Sequence, residues 1–252
     1  MQESKENHIL KLGLNASNQI LYFFGARHTN DPSDTQFDQI KQLWNEFANN
    51  SRTERAVFIE SLIHEVPAEY EKAIEKYGEA GATYWLANKT GLIVTCPEPN
   101  NTEQRKALCI LHKPQIVAYT FIVQNLAAWF RHTRQSLFTE AIENSVNREK
   151  QFSEIYGFIP DKSWFMDQHK KLFGEQNLDN KNFLDSITNP HINNTLVNII
   201  VATRTKIRNY YLLEMISKAW KLKRSVFIVY GIGHLSAIEN GLRELYNNDK
   251  SI

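Results

Sequence analysis

Two segments, roughly two hundred residues apart, repeat one order of residue types. The first is Ile20-Leu-Tyr-Phe-Phe24 followed by Gly25-Ala-Arg-His28, and the second is Ser225-Val-Phe-Ile-Val-Tyr230 followed by Gly231-Ile-Gly-His234-Leu235. A run apolar at every position, with no polar alternation, belongs to a strand covered on both faces, as in the middle of an α/β sheet. A glycine at the end of such a strand permits unusual backbone angles and lets other groups approach closely. Sites in open α/β sheets lie beyond the carboxyl ends of the strands. Both histidines are therefore expected there.

The rest of the chain fits the same frame. Residues 8–24 read as a hairpin around Asn15-Ala-Ser-Asn18, leading into the first core strand. Phe37, Ile40, Leu43, Trp44 and Phe47 recur at helical spacing over about 35–49. Ala56-Val-Phe-Ile59 is a short buried strand ending in Glu60. Helices are expected near 67–77 and 79–88, then a strand over Leu92-Ile-Val-Thr95 that exits into Cys96-Pro-Glu98-Pro. This alternation predicts an α/β fold with a mostly parallel central sheet flanked by helices. From Thr102 to about Trp220 the periodicity is almost wholly helical, with one long apolar helix over Gln115 to His132 and an Asn/Asp-rich loop after Gly174. The expected organisation is one α/β domain, its core formed by about 1–111 and 200–252, with a large helical insertion or lid over about 112–200. The strand at 225–230 returns to the sheet, and 236–246 forms the last helix.

The chain has 252 residues, enough for a substantial core, and a net charge of +1 that gives no footprint for a nucleic-acid partner. No apolar run reaches the length of a membrane span, and the first fifteen residues lack the apolar stretch of a signal peptide. Cys96 and Cys109 have no metal-type spacing and read as reduced thiols of a cytoplasmic protein. The sequence sets no oligomeric state.

His28, Glu60 and His234 are polar groups delivered at strand ends, and Glu98 follows a fourth strand. Two imidazoles with one or two carboxylates suit zinc, manganese or iron(II). The same groups also suit a metal-free general base oriented by a carboxylate. Glu98 reads equally as a second carboxylate of the site, contacting substrate, or as part of a rigid exposed loop. Glu79 reads as a helper of the site or, in preference, as a carboxylate at a helix N-terminus. Arg208, on an otherwise aromatic and apolar helix, reads as an anion clamp or as a surface arginine.

Gly25-Ala-Arg-His28, Glu60 and Gly231-Ile-Gly-His234 resemble the motifs of the TIKI/TraB/PrgY/ChaN-like/erythromycin-esterase superfamily, which has two Gly-x-x-His motifs with a Glu between them. The TraB-like branch is closest. Glu79-Ala-Gly-Ala-Thr-Tyr-Trp-Leu-Ala-Asn-Lys-Thr-Gly91 looks like its helix before the third strand, and Arg208-Asn209 looks like its Arg-Asp or Arg-Asn pair. Arg27 stands where a small or apolar residue is usual. The resemblance implies an α/β fold and, for some members, metal-dependent peptidase or esterase activity; others are implicated in pheromone shutdown or haem binding. The expectation is thus a hydrolase acting on a small-molecule or peptide substrate. His28, Glu60 and His234 would hold a divalent cation (Mn, Zn or Fe), and Arg208 would stabilise the oxyanion. Gly25, Gly231 and Gly233 are the motif glycines. The alternatives are a non-catalytic ligand, peptide or haem-binding protein and a metal-free esterase with His28 as general base, oriented by Glu60.

Overall fold

The computed structural model describes residues 8–14, 17–131 and 136–248. The expected turn residues Asn15 and Ala16, and the helix end expected at His132, lie outside them. The chain forms strands β1 (His8–Leu12) and β2 (Leu21–Ala26), helix α1 (Gln36–Asn50), strand β3 (Arg55–Ile59), helix α2 (Tyr70–Lys89) and strand β4 (Val94–Thr95). Seven helices follow: α3 (Asn101–Leu111), α4 (Pro114–Arg131), α5 (Phe138–Lys150), α6 (Ser153–Tyr156), α7 (Lys162–Phe173), α8 (Lys181–Ile187) and α9 (Leu196–Lys221). Strand β5 (Ser225–Gly231) and helix α10 (Ile232–Asn248) end the described chain. There are two compact units, Met1–Glu98 with Asn209–Ile252, and Pro99–Arg208.

The first unit is α/β. Its sheet has the order β1-β2-β5-β3-β4, with β1 antiparallel to β2 and the other pairs parallel. The last strand in sequence therefore lies between the second and third. Period-two geometry divides its side chains between two layers. Tyr22, Phe24, Val57, Phe227 and Val229 pack on α1 and α2 through Phe37, Ile40, Trp44, Phe47 and Ile74. Leu21, Phe23, Phe58, Val226, Ile228 and Tyr230 face Leu212, Ile216 and Trp220 of α9 and Leu235, Ile238 and Leu242 of α10. All seven residues of β5 are buried, which accounts for its unbroken apolar sequence. Each of its buried Val, Ile and Phe side chains contributes about 1.5–3 kcal/mol through burial.

Three local expectations are corrected. The strand at 92–95 shortens to Val94–Thr95, because it is an edge that pairs only with Val57 and Phe58; Ile93 beside it is 86% exposed. The final helix starts at Ile232, straight after Gly231, so His234 lies in its first turn and not in a loop like His28. The two Gly-x-x-His segments are thus alike in sequence and different in conformation. Finally, the Asn/Asp-rich loop after Gly174 contains α8, whose N-cap Asn180 accepts from the Phe183 amide.

The expected break between the helices at 67–77 and 79–88 falls at Gly78, whose φ of 57° and ψ of −138° interrupt α2. A Cβ at Gly78 would lie 2.7 Å from the Thr29 carbonyl oxygen, and one at Gly81 would lie 2.0 Å from that of Ala73. Both positions require glycine, the first also for its dihedral angles.

The second unit is helical. Tyr119, Ile122, Leu126, Phe165, Leu184 and Val201 belong to one apolar cluster, and Leu108, Val117, Phe121, Phe152 and Ile200 to another. Arg105, 3% exposed, forms a two-point ion pair with fully buried Glu149, with N–O distances of 2.8 and 2.6 Å. Tyr156 donates to the same carboxylate at 2.6 Å, and the guanidinium lies 3.8 Å from the Phe121 ring and 3.7 Å from the Phe152 ring. None of the helices is long and apolar enough to cross a membrane, among the described residues.

Candidate active site

The strand order delivers three polar residues to one sheet end. β2 leads to His28, its neighbour β5 leads to His234, and β3 on the other side of β5 ends at Glu60. Parallel pairing aligns these ends, with Gly25 opposite Tyr230 and Ile59 opposite Val229.

His28 stands on a tethered loop. The fully buried Gln36 side chain donates to the Arg27 carbonyl at 2.9 Å and accepts from the Arg27 amide at 3.1 Å. Asn30 donates to the carbonyls of Ile74 and Glu75, which ties the loop to the first half of α2. The Gly78 break then starts a second helical segment at Glu79. Glu79 is 6% exposed, and its Oε1 lies 2.6 Å from His28 Nδ1. The expected helix N-terminal position of Glu79 is therefore present, and the same carboxylate orients a histidine. The metal-free alternative placed Glu60 behind His28; the carboxylate at His28 Nδ1 is Glu79 instead, and Glu60 lies on the Nε2 side at 3.9 Å.

Glu60 follows β3 directly, and its Oε2 accepts the Gly231 amide at 2.8 Å. Its two oxygens face different imidazoles: Oε1 is 3.5 Å from His234 Nε2, and Oε2 is 3.9 Å from His28 Nε2. His234 is 7% exposed, lies edge-on to the Tyr230 ring, and has its Nδ1 2.5 Å from Asn209 Oδ1. Carboxylate and amide oxygens accept, so both imidazoles are assigned an Nδ1 proton and an Nε2 lone pair. In both rings the Nε2 edge faces Glu60.

Glu98 joins the cluster through the loop after β4. The Cys96 thiol donates to the Glu60 carbonyl at 3.5 Å, holding the two strand ends together. Two groups of three could each hold a cation: His28, Glu60 and Glu79, and Glu60, Glu98 and His234, with ligand atoms within 4.8 Å of one another in each. Glu60 is common to both.

The motif glycines differ in purpose. A Cβ at Gly231 would lie 3.1 Å from His28 Nε2 and 3.2 Å from Glu60 Oε2, so this residue forms a wall of the site. A Cβ at Gly25 would lie 3.0 Å from the His8 carbonyl and 3.2 Å from Ile232 Cα, a constraint of the sheet. At Gly233 it would meet nothing within 4 Å. Arg208 belongs to the helical unit, one residue before Asn209.

Sequence reasoning singled out Asn209 only within the Arg208-Asn209 pair and not as the partner of His234, and it missed Gln36 as the clamp behind His28. Neither has a local signal, because each acts on a residue far from it in sequence or on backbone. A cavity of about 360 Å³ exists in the helical unit, bordered by Phe138, Ile142, Met166, His169 and Leu178. Its one histidine is engaged at both nitrogens, by Tyr119 and by the Gln176 carbonyl, and offers no acid–base pair. Comparisons with protein-family models, with curated proteins and with solved structures return no match.

Proposed function

We propose that this protein is a hydrolase that activates water between His28, Glu60 and His234 for attack on an ester or amide carbonyl. One observation carries the reading: a single carboxylate directs its two oxygens at the Nε2 edges of two imidazoles, each tied at Nδ1 by its own partner. A histidine that only stabilises a loop does not need this arrangement. The motif resemblance to the TIKI/TraB superfamily points the same way.

The donor set fits a divalent cation. Two donors on one zinc ion, each about 2.0–2.2 Å from it, lie roughly 3–4 Å apart. The separations of 3.5 and 3.9 Å fall in that range and exceed an ordinary hydrogen bond. Imidazole donors favour zinc, manganese or iron(II) over magnesium and calcium. When bound, such an ion supplies Lewis-acid activation of water and carbonyl. The protein's part is to orient both imidazoles, hold Glu60 in place through the Gly231 amide, and accept the proton of the attacking water. Arg208 stays the proposed oxyanion partner on the strength of the motif resemblance. The substrate is a small molecule or a peptide, and the two free cysteines suit a cytoplasmic location.

The His28–Glu79 pair favours one second reading, a metal-free esterase with His28 as the base. Hydrolysis of a panel of chromogenic esters and peptides, with manganese or zinc and after chelation, tests both. Turnover that needs metal and is lost in Glu60→Gln supports the first. Turnover unaffected by chelation selects the second. Absence of turnover across the panel, with a ligand raising the melting temperature, selects a binding protein.

A further inference from the structure

The two Gly-x-x-His histidines are not equivalent, and we infer that they divide the chemistry: Glu60, Glu98 and His234 hold a divalent cation, while His28, backed by Glu79, stands beside it as the proton carrier and is not a ligand. This inference rests on the hydrolytic reading and refines it.

His234 has the character of a ligand. It is buried, its Nδ1 is fixed by the neutral Asn209 amide, and its Nε2 makes no hydrogen bond among the described residues while facing Glu60 Oε1 at 3.5 Å. The nearest charged group to that nitrogen is Glu60, the carboxylate common to both candidate cation groups. Its ligand atom, with one oxygen each of Glu60 and Glu98, lies in a group no wider than 4.8 Å. The charges match, because two carboxylates and a neutral imidazole balance one divalent ion. Three protein ligands leave a position open, as catalytic zinc sites do.

His28 has a different character. Its side chain is 65% exposed, whereas that of His234 is 9% exposed. The Glu60 oxygen nearest to it is Oε2, which already accepts the Gly231 amide, and the distance is the longer of the two. The other group containing His28 depends on Glu79, whose Oε1 is engaged by His28 Nδ1 at 2.6 Å. A carboxylate behind an imidazole stabilises the cation formed when Nε2 takes a proton, as in the serine-hydrolase triad. A neutral amide behind His234 offers no such stabilisation.

The experiment is metal binding, with activity read in parallel. Chelated wild type, His28→Ala, His234→Ala and Glu98→Gln are titrated with manganese and zinc by calorimetry, and bound metal is counted after gel filtration. Wild type is expected to bind one ion. His234→Ala and Glu98→Gln should weaken binding by more than the roughly 10–100-fold that loss of a supporting residue causes. His28→Ala should bind metal as wild type does and lose hydrolysis. Circular dichroism checks folding; should His234→Ala fail to fold, His234→Gln preserves the buried volume. Loss of metal from His28→Ala to the extent seen in His234→Ala overturns the division. So does wild-type affinity in Glu98→Gln, or equal uptake by all four proteins. Wild type that hydrolyses substrate without taking up metal overturns the cation site and leaves hydrolysis standing. Wild type that binds one ion as described but turns over nothing overturns the hydrolytic reading and the proton-carrier role, and leaves the ligand set standing.

Discussion

The Gly231 amide donates to Glu60 Oε2 at 2.8 Å, and the Gly231 Cα lies so close to the site that an added methyl would stand 3.1 Å from His28 Nε2. Gly231→Ala is therefore expected to remove most hydrolytic activity while altering stability little, since the residue has no positive φ to lose. Gly233→Ala, where the methyl meets nothing and the residue sits in the first turn of α10, should keep the fold and add up to about 0.5–1 kcal/mol of stability. Turnover and urea melts of the two variants check the contrast; equal loss of activity in both would contradict it.

Glu60→Gln should separate chemistry from folding. The amide can still accept from Gly231, so the melting temperature should move by a few degrees at most. Activity should fall by more than the roughly 10–100-fold that loss of a supporting residue causes, because Glu60 is the carboxylate common to both candidate cation groups. Val57→Asp should do the reverse, because it buries a charge at a position 1% exposed, at about 4 kcal/mol or more. Comparable melting temperatures for the two variants would make Glu60 a structural residue.

The break in α2 is expected to be intolerant of any side chain. Gly78→Ala meets the Thr29 carbonyl with a left-handed φ, and Gly81→Ala meets the Ala73 carbonyl at 2.0 Å. Each should destabilise by about 2 kcal/mol or more. Gly78→Ala should also disturb His28, through its neighbour Thr29. Chemical denaturation of both variants, with turnover measured on the folded fraction, is the check.

In the helical unit, Arg105→Met leaves the Glu149 carboxylate buried without its cation and should cost about 3–5 kcal/mol. Adding Glu149→Leu to it should restore much of that loss, since Phe121 and Phe152 already provide an apolar slot. A double-mutant cycle by urea denaturation measures the coupling, and additive losses would show that the pair is not a unit.

Alkaline pH gives a separate test. Burial pushes the phenols of Tyr70, Tyr119 and Tyr156 well above the usual range; Asp38 and Glu71 add to the shift at Tyr70, and Glu149 adds to it at Tyr156. A pKa raised by folding contributes stability that is fully present below the unfolded value of about 10 and is lost as pH rises toward the folded one. Stability should be flat in this respect at neutral pH and fall above pH 10. Absorbance at 295 nm should report these phenols ionising together with unfolding; gradual ionisation in a folded chain would contradict it.

Much of the architecture was legible because continuous apolar runs and helical spacing are local signals. The runs read at 20–24, 56–59 and 225–230 form β2, β3 and β5, with Ile20 just before β2 and Ala56 half-buried, and Gly78 breaks the helix where the break was expected. His28, Glu60, His234 and Glu98 were recognisable because each follows a strand. The pairing of the strands was not legible: nothing in residues 225–231 states that they lie between β2 and β3. The site's supports were hidden for the same reason. Asn209 reaches His234 and Glu79 reaches His28 only through tertiary packing, and a short edge such as β4 carries too few residues for its true length to be read.

The position of β5 has a consequence for synthesis. Chains emerge from the ribosome N-terminus first, at about 5–20 residues per second. Until Ser225–Gly231 is available, the sheet exists only as two separate pairs, β1–β2 and β3–β4, with apolar edges waiting for a strand that is made near the end. Such long-range pairing folds slowly and exposes edges that other chains can join. The strand that closes the sheet also carries Gly231 to Glu60 and leads into His234, so the His–Glu cluster cannot assemble before the hydrophobic core is sealed.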